Sequence, residues 1–175
     1  SHVPSGSPGG ATLCQVIVHP SVSLAPDRPA ILAPGFVQDR VDALESELAR
    51  ALCTPHPAFD AFYELMRYHV GPGGVGAKRF RPLLCLLLHE GWTGDYRPSL
   101  PLATAVELMH SFTLVHDDIE DGDELRRSRP AVWTVCGIPQ GINVGDAIYA
   151  LSHAALQGLS TWLHSPRVRL RVIDI

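Results

Sequence analysis

The most informative segment of the chain is Leu114-Val-His-Asp-Asp-Ile-Glu-Asp121. An apolar stretch precedes it and Gly122 follows it, which predicts a core helix that ends with its acidic residues at the surface. Asp117 and Asp121 are four residues apart, so they lie one turn apart on one helical face, about 6 Å along the axis. Asp118 flanks this pair.

This acidic end is unfavourable without a bound cation. Carboxylates at four-residue spacing repel each other, and the dipole at a helix C-terminus disfavours negative charge. Mg²⁺ suits such a cluster, because it is usually shared between one or two carboxylates, waters and substrate phosphates. For the motif alone, a solvated helix end is the alternative. A calcium loop of the EF-hand type is excluded, because Ile119 and Ser128 would stand where carboxylates are required.

Two basic groups flank the acidic cluster in the sequence. Lys78, Arg79 and Arg81 open a predicted helix after a glycine-rich loop, where the helix dipole and free N–H groups also attract phosphate. Arg126 and Arg127 follow the cluster, and guanidinium groups match phosphate oxygens. Either group alone is typical of an ordinary basic surface turn. Combined with a Mg²⁺ site, they predict a protein that holds two diphosphates.

His110 is predicted to share the face of the carboxylates. It precedes Asp117 by seven residues and Asp121 by eleven, which is close to two and three helical turns. A lone histidine in an apolar helix is more often a core residue with satisfied hydrogen bonds. The alignment with the carboxylates leaves both interpretations open.

The remaining pattern predicts an all-α chain of stacked helices. Residues 1–35 are rich in proline and glycine and are interpreted as an irregular N-terminal arm, while residues 36–175 form the helical domain. A run of apolar residues, 83–88, predicts burial on several sides of the third helix. Residues 167–175 alternate in a way that favours a strand. The predicted helices begin near Phe36, Pro57, Lys78, Ser99 and Asn143, and the last two end at Asp121 and Leu163.

Composition and charge exclude several classes of protein. The formal net charge is −4 and the chain has no lysine- and arginine-rich run, so no nucleic-acid partner is expected. The four cysteines are far apart and show no metal-ligand spacing, which is typical of reduced intracellular thiols. The sequence contains no transmembrane-length apolar run and no signal-peptide pattern. We therefore expect a soluble cytoplasmic protein.

Five motifs together resemble the trans-isoprenyl diphosphate synthases, or polyprenyl synthetases. They are Ala77-Lys-Arg-Phe-Arg-Pro82, Glu107-Leu-Met-His110, Leu114-Val-His-Asp-Asp-Ile-Glu-Asp121, Arg126-Arg-Ser-Arg-Pro130 and Asn143-Val-Gly-Asp-Ala147. Each motif alone is only modestly specific for the family, but their combined order and spacing are highly specific. The resemblance covers about residues 36–160 and implies an all-α helical bundle of the isoprenoid-synthase type.

The resemblance also implies a reaction and roles for single residues. Isopentenyl diphosphate is joined to an allylic diphosphate after Mg²⁺-assisted ionisation of the allylic substrate, and no protein nucleophile takes part. The residues expected to bind isopentenyl diphosphate are Lys78, Arg81, His110 and Arg127. Arg126 is expected to contact the allylic diphosphate. The residues expected to bind Mg²⁺, and so to act in catalysis, are Asp117, Asp118 and Asp121.

Product length is assigned by resemblance to residues just before the first aspartate. Phe112 and Thr113 occupy that zone. Phe112 resembles the aromatic floor of synthases that make short-chain prenyl diphosphates, of about fifteen to twenty carbons. Core packing of Phe112 without contact to product is the alternative.

The chain departs from the family pattern in two places. The glycine pair before Lys78 is Gly76-Ala77 here, and alanine would be strained at a positive φ. Family members are roughly twice as long and carry a second aspartate-rich motif, whereas Asp146 and Asp174 are isolated. We therefore expect a truncated bundle whose apolar faces pair with another chain, as a homodimer or with a full-length synthase.

Three functional hypotheses follow from this pattern. The first is a short-chain prenyl diphosphate synthase, and the second is a non-catalytic fragment or regulatory subunit that binds diphosphates. The third is a class I terpene cyclase, which the basic patch at Lys78 and Arg81 disfavours, because a cyclase binds no isopentenyl diphosphate. Whether the chain is by itself an enzyme stays open at this stage.

Overall fold

The structure is a computed structural model that describes residues 35–71 and 78–161. Its helices are α1 (Phe36–Ala51), α2 (Asp60–Val70), α3 (Phe80–Thr93), α4 (Leu100–Asp121), α5 (Val132–Cys136) and α6 (Ile138–Leu156). Strands β1 (Leu125–Arg126) and β2 (Arg129–Pro130) form a small antiparallel hairpin after α4. Short 3₁₀ turns precede α2 and α4 and follow α6. The predicted all-α fold is confirmed.

The boundaries of α4 follow from two residues that the sequence places at its ends. Pro101 lies in the first turn, where a missing N–H costs nothing. Gly122 adopts the left-handed conformation with φ of 70° and ends the helix after Asp121. Ser99 does not cap the helix, because its hydroxyl donates to the carbonyl of Tyr96 at 2.7 Å instead.

Helix α4 lies at the centre and packs against α1, α2, α3 and, most extensively, α6. Every helix contributes to one apolar core, so the acidic end of α4 stands on a rigid support. The fully buried members are Leu44, Leu48, Leu52, Met66, Val70, Leu86, Ala103, Leu108, Val115, Val132, Val144 and Ile148.

Two glycines allow α6 to approach α4 closely. A Cβ atom at Gly145 would stand 2.3 Å from Nε2 of His116, and one at Gly141 would stand 3.1 Å from Cδ1 of Ile119. The second contact is crowded, and the first is too short for any larger residue without movement of the imidazole. The end of α4 is therefore fixed against the first half of α6.

The structure corrects several details of the predicted helices. The last long helix begins at Ile138 rather than Asn143 and ends at Leu156 before a 3₁₀ turn. Pro139 occupies its first turn, so the proline starts the helix instead of interrupting it. The third helix begins at Phe80, and it is not buried on several sides. It presents an exposed apolar stripe formed by Phe80, Leu84, Leu88 and Trp92.

Two predictions concern parts of the chain outside the described residues. They are the irregular N-terminal arm over residues 1–35, of which only Gly35 is described, and the strand over residues 167–175. Within the described residues, no helix is long and apolar enough to span a bilayer.

Candidate functional site

The three aspartates at the acidic end of α4 differ in their exposure. Asp117 and Asp121 are exposed, as expected for neighbours on the outer face. Asp118 is only 1% exposed and points toward the β1–β2 hairpin. Its two carboxylate oxygens accept hydrogen bonds from Nε of Arg126 at 2.6 and 2.8 Å. Asp118 and Arg126 therefore form an ion pair that ties the hairpin to the helix.

Both partners of this pair are residues for which the sequence predicts a ligand. The sequence pattern placed Asp118 at the Mg²⁺ ions and Arg126 on a diphosphate, but the structure turns both toward each other. Hydrogen bonding to Asp118 raises the pKa of Arg126, so the guanidinium stays charged. Asp118 holds one edge of that guanidinium, and only the opposite edge is left to face an anion.

Asp117 and Asp121 have the chemistry that a Mg²⁺ site requires. Neither forms an ion pair with another described residue, and carboxylate oxygens on one rigid face are ligands that Mg²⁺ prefers. No group of three or more histidine, cysteine, aspartate or glutamate side chains within residues 35–71 and 78–161 is arranged to enclose a metal. The two residues fit an open site whose remaining positions other oxygen ligands, such as phosphate or water, would fill.

The basic residues at the start of α3 differ in their accessibility. Lys78 is exposed, whereas Arg79 is 3% exposed and forms ion pairs with Glu45 and Glu107. Arg79 is thus not part of the open basic patch that the sequence suggested. Arg81 reaches α4, where Nη1 lies 3.0 Å from Nε2 of His110.

The contact between Arg81 and His110 brings two predicted substrate-binding residues together. Because a guanidinium only donates, Nε2 of His110 must accept, and the ring hydrogen then lies on Nδ1. Burial lowers the pKa of His110, and the nearby charge of Arg81 lowers it further. A neutral imidazole beside one arginine, on the face of α4 that bears Asp117, is suited to binding a phosphate oxygen.

The hairpin presents Arg127 in a strained turn. Arg127 and Ser128 both have positive φ, 52° and 62°, which is the backbone of a type I′ turn that usually contains asparagine or glycine. Burial and the charge of Arg79 lower the pKa of Arg127. Strain of this kind is often found at functional sites, where surrounding contacts maintain it.

A small depression beside the hairpin contains a residue that the sequence did not single out. Arg126 and Arg127 line it together with Tyr68 and His69 at the end of α2. His69 lies 3.0 Å from the carbonyl of Ser111 on α4. Nothing in the spacing of His69 marks it, since the loop that follows it separates it from the recognised motifs.

The two predicted product-length residues have different surroundings. Phe112 is partly buried, and its ring meets the edges of Tyr149 at 5.0 Å and His116 at 5.7 Å. Thr113 is exposed, and its hydroxyl donates to the carbonyl of His110 at 2.8 Å. Phe112 therefore lies between α4 and α6, next to the acidic end.

Comparison with known proteins agrees with this arrangement. The polyprenyl synthetase family model matches residues 59–174. The chain is 39% identical over 128 residues to a geranylgeranyl diphosphate synthase of Mycobacterium tuberculosis, covering 65% of this chain and 37% of that protein. It is 37% identical over 114 residues to the small subunit of a heterodimeric geranylgeranyl pyrophosphate synthase of Arabidopsis thaliana, covering 64% and 34%.

Solved structures show the same architecture. A geranylgeranyl pyrophosphate synthetase of Geoglobus acetivorans superposes with a TM-score of 0.67 at 34% identity, covering 79% of this chain and 42% of that one. A second such enzyme, from Pyrococcus horikoshii, gives 0.68 at 29% identity, covering 79% and 40%. The chain thus spans well under half the length of these relatives. The sequence motifs, the helical architecture and the family match establish that this chain belongs to the polyprenyl synthetase family.

Proposed function

We propose that this chain forms the diphosphate-binding half of a short-chain prenyl diphosphate synthase. The observation that carries the proposal is the arrangement of α4, which presents His110, Asp117 and Asp121 on one face, with Arg81 already in contact with His110. This face combines a cationic site with an open carboxylate pair. Such a combination suits two diphosphate substrates better than one.

Different residues of this chain would bind the two substrates. Lys78, Arg81, His110 and Arg127 would bind isopentenyl diphosphate, while Asp117 and Asp121 would hold the Mg²⁺ that the family requires. Bound Mg²⁺ neutralises the charge that develops on the departing diphosphate of the allylic substrate. Arg126, oriented by Asp118, would add a fixed positive charge beside that diphosphate. The isopentenyl double bond then attacks the allylic carbon, and loss of a proton completes the product.

A direct test is the formation of a new prenyl diphosphate from isopentenyl diphosphate, geranyl diphosphate and Mg²⁺. We expect Asp117→Ala to reduce product at least a hundredfold, because removing one ligand of an open two-carboxylate site leaves the metal poorly held. Asp42→Ala is the matched control, since Asp42 is an exposed carboxylate on α1. Equal activity of both variants would refute the role of Asp117.

Phe112 provides a test of product length. Its contact with Tyr149 places it between α4 and α6, just upstream of the carboxylates. If Phe112 limits product length, then Phe112→Ala should shift the products of the assay toward longer chains. A shorter or unchanged product, from a folded variant, would support the alternative that Phe112 only packs in the core.

A regulatory subunit is the alternative function, and the Arabidopsis relative that is named as a small subunit is the observation in its favour. The other relatives described above are named as synthases, which favours the enzyme. An inactive chain that nevertheless binds diphosphates, and that changes the product of a separate full-length synthase, would establish the subunit function.

Assembly and location are also part of the proposal. The exposed apolar stripe of α3 supports pairing with a second chain, either another copy or a full-length synthase. Cys53, Cys85 and Cys136 are free thiols, which supports a cytoplasmic location. Sedimentation of the purified chain, alone and mixed with a synthase, would measure the pairing.

A further inference from the structure

Arg79 stands next to the proposed diphosphate site without being available to a ligand. Each nitrogen of its guanidinium is occupied. Nε donates to Glu45 at 2.7 Å, and Nη1 donates to Glu107 at 2.6 Å. Nη2 donates to the carbonyls of Val70 at 3.0 Å and Gly71 at 2.6 Å. With a side chain 2% exposed, Arg79 binds the protein itself rather than phosphate.

These contacts join four separate parts of the fold at one point. Glu45 belongs to α1, the two carbonyls end α2, Arg79 precedes the first residue of α3, and Glu107 belongs to α4. Carbonyls at the end of a helix lack partners within the helix, and the guanidinium supplies donors for two of them. The start of α3 is therefore fixed relative to three other helices.

The backbone of Arg79 is strained in a way that these contacts maintain. Its φ of 46° is left-handed, a conformation that is unfavourable for a residue with a side chain. Lys78 precedes Arg79 directly, and Arg81 follows it by two residues. The direction in which both leave the chain depends on that single backbone conformation.

Arg79 and Arg81 connect the start of α3 to α4 by two successive contacts. Glu107, the partner of Arg79, lies three residues before His110, the partner of Arg81, and so lies on the same side of α4. The contact between Arg79 and Glu107 is buried, and both of its partners are charged. The contact of Arg81 is exposed and involves a neutral ring. We therefore expect the contact between Arg79 and Glu107 to persist when a ligand binds, whereas a ligand can displace the contact between Arg81 and His110.

We propose that Arg79 is a positioning residue that holds Lys78 and Arg81 at the distance from His110 at which they bind the diphosphate of the isopentenyl substrate. The proposal rests on the function proposed above. It adds that the affinity for this substrate depends on a buried ion pair that never contacts the ligand.

Two matched substitutions separate positioning from general stability. Arg79→Ala would leave the buried Glu107 and the partly buried Glu45 without this partner and is expected to unfold the chain, so we choose Glu107→Gln, which keeps the shape and removes one charge. The control is Glu90→Gln. Glu90 forms the other buried arginine–glutamate pair between α1 and α3, with Arg40, and its side chain is 7% exposed against 5% for Glu107. Both variants should unfold at lower urea concentration than the parent chain.

Binding of isopentenyl diphosphate, measured by titration calorimetry, decides the question. We expect Glu107→Gln to weaken binding about tenfold, because small displacements of positioned groups have effects of this size or larger, while Glu90→Gln leaves binding within about twofold. Equal weakening in both variants, or unchanged binding in Glu107→Gln, would overturn the positioning role. If the parent chain itself does not bind isopentenyl diphosphate, the proposed function fails first, and the inference fails with it.

Discussion

We expect His69 to make the stability of this chain fall between pH 7 and pH 5. His69 is near the end of α2, and its Nε2 lies 3.0 Å from the carbonyl of Ser111. Since a carbonyl only accepts, Nε2 carries the hydrogen of a neutral ring. The pKa of His69 is lowered from 6.5 to about 4, mainly by burial and in smaller part by the charges of Arg126 and Arg127.

The sign of the effect follows from where the protons bind. The pKa of His69 is lower in the folded chain than in the unfolded chain, so between pH 6.5 and about 4 the unfolded chain binds more protons. The free energy of unfolding therefore decreases as the pH falls through this window. If the pKa of His69 shifts by the whole difference between 6.5 and about 4, the free energy of unfolding decreases by about 2 kcal/mol from pH 7 to pH 5. Because the ring keeps some contact with water, we expect about 1–2 kcal/mol.

The matched variant is His69→Gln, whose side-chain amide can still donate to Ser111 but does not titrate. Urea unfolding of both proteins, followed by circular dichroism at pH 7 and pH 5, gives the four free energies required. Between pH 7 and pH 5, we expect the free energy of unfolding of the parent chain to decrease by about 1–2 kcal/mol more than that of the variant. Equal losses in both proteins, or an imidazole titration by NMR with a midpoint at 6.5 or above, would refute the reasoning.

Three further substitutions have predicted effects on the free energy of unfolding, measured by urea denaturation. Gly145→Ala places a methyl group against the ring of His116 and should cost about 1–3 kcal/mol. A Cβ atom at Gly91, on α3, would meet no atom within 4 Å, so Gly91→Ala should stabilise the chain by about 0.5–1 kcal/mol. Equal effects of Gly145→Ala and Gly91→Ala would contradict the close approach of α6 to α4. Glu90→Gln removes the nearest counter-charge of the buried Arg40, leaving the exposed Asp39 at 3.9 Å, and should cost about 2–3 kcal/mol. An unchanged free energy of unfolding would show that the Arg40–Glu90 pair contributes nothing.

Helix α4 was predictable from sequence because each of its determinants is local. Pro101 in the first turn and Gly122 after Asp121 mark its ends, and the four-residue spacing of Asp117 and Asp121 fixes their common face. The orientation of Asp118 was not predictable. A residue next to Asp117 is turned by about 100° on a helix, and whether that direction faces solvent depends on the hairpin that packs there.

Long-range contacts explain the other differences. The sequence alone groups Arg79 with Lys78 and Arg81, because only the positions of Glu45 and Glu107, distant in sequence, show that Arg79 is buried. The early start of α6 was missed because proline and glycine usually interrupt helices. Here Pro139 fits the first turn, and Gly141 lies where α4 leaves no room for a larger side chain.

The close approach of α6 to α4 also limits how the molecule can move. Packed helices slide past each other only when side chains along their interface can exchange neighbours. At Gly145 the backbone of α6 lies directly against the ring of His116, so a displacement of one helix along the other would press the two together. We expect α4 and α6 to travel as one rigid unit in slow collective motions. Any opening and closing of the acidic end would then come from the hairpin, which the side chain of Arg126 joins to α4.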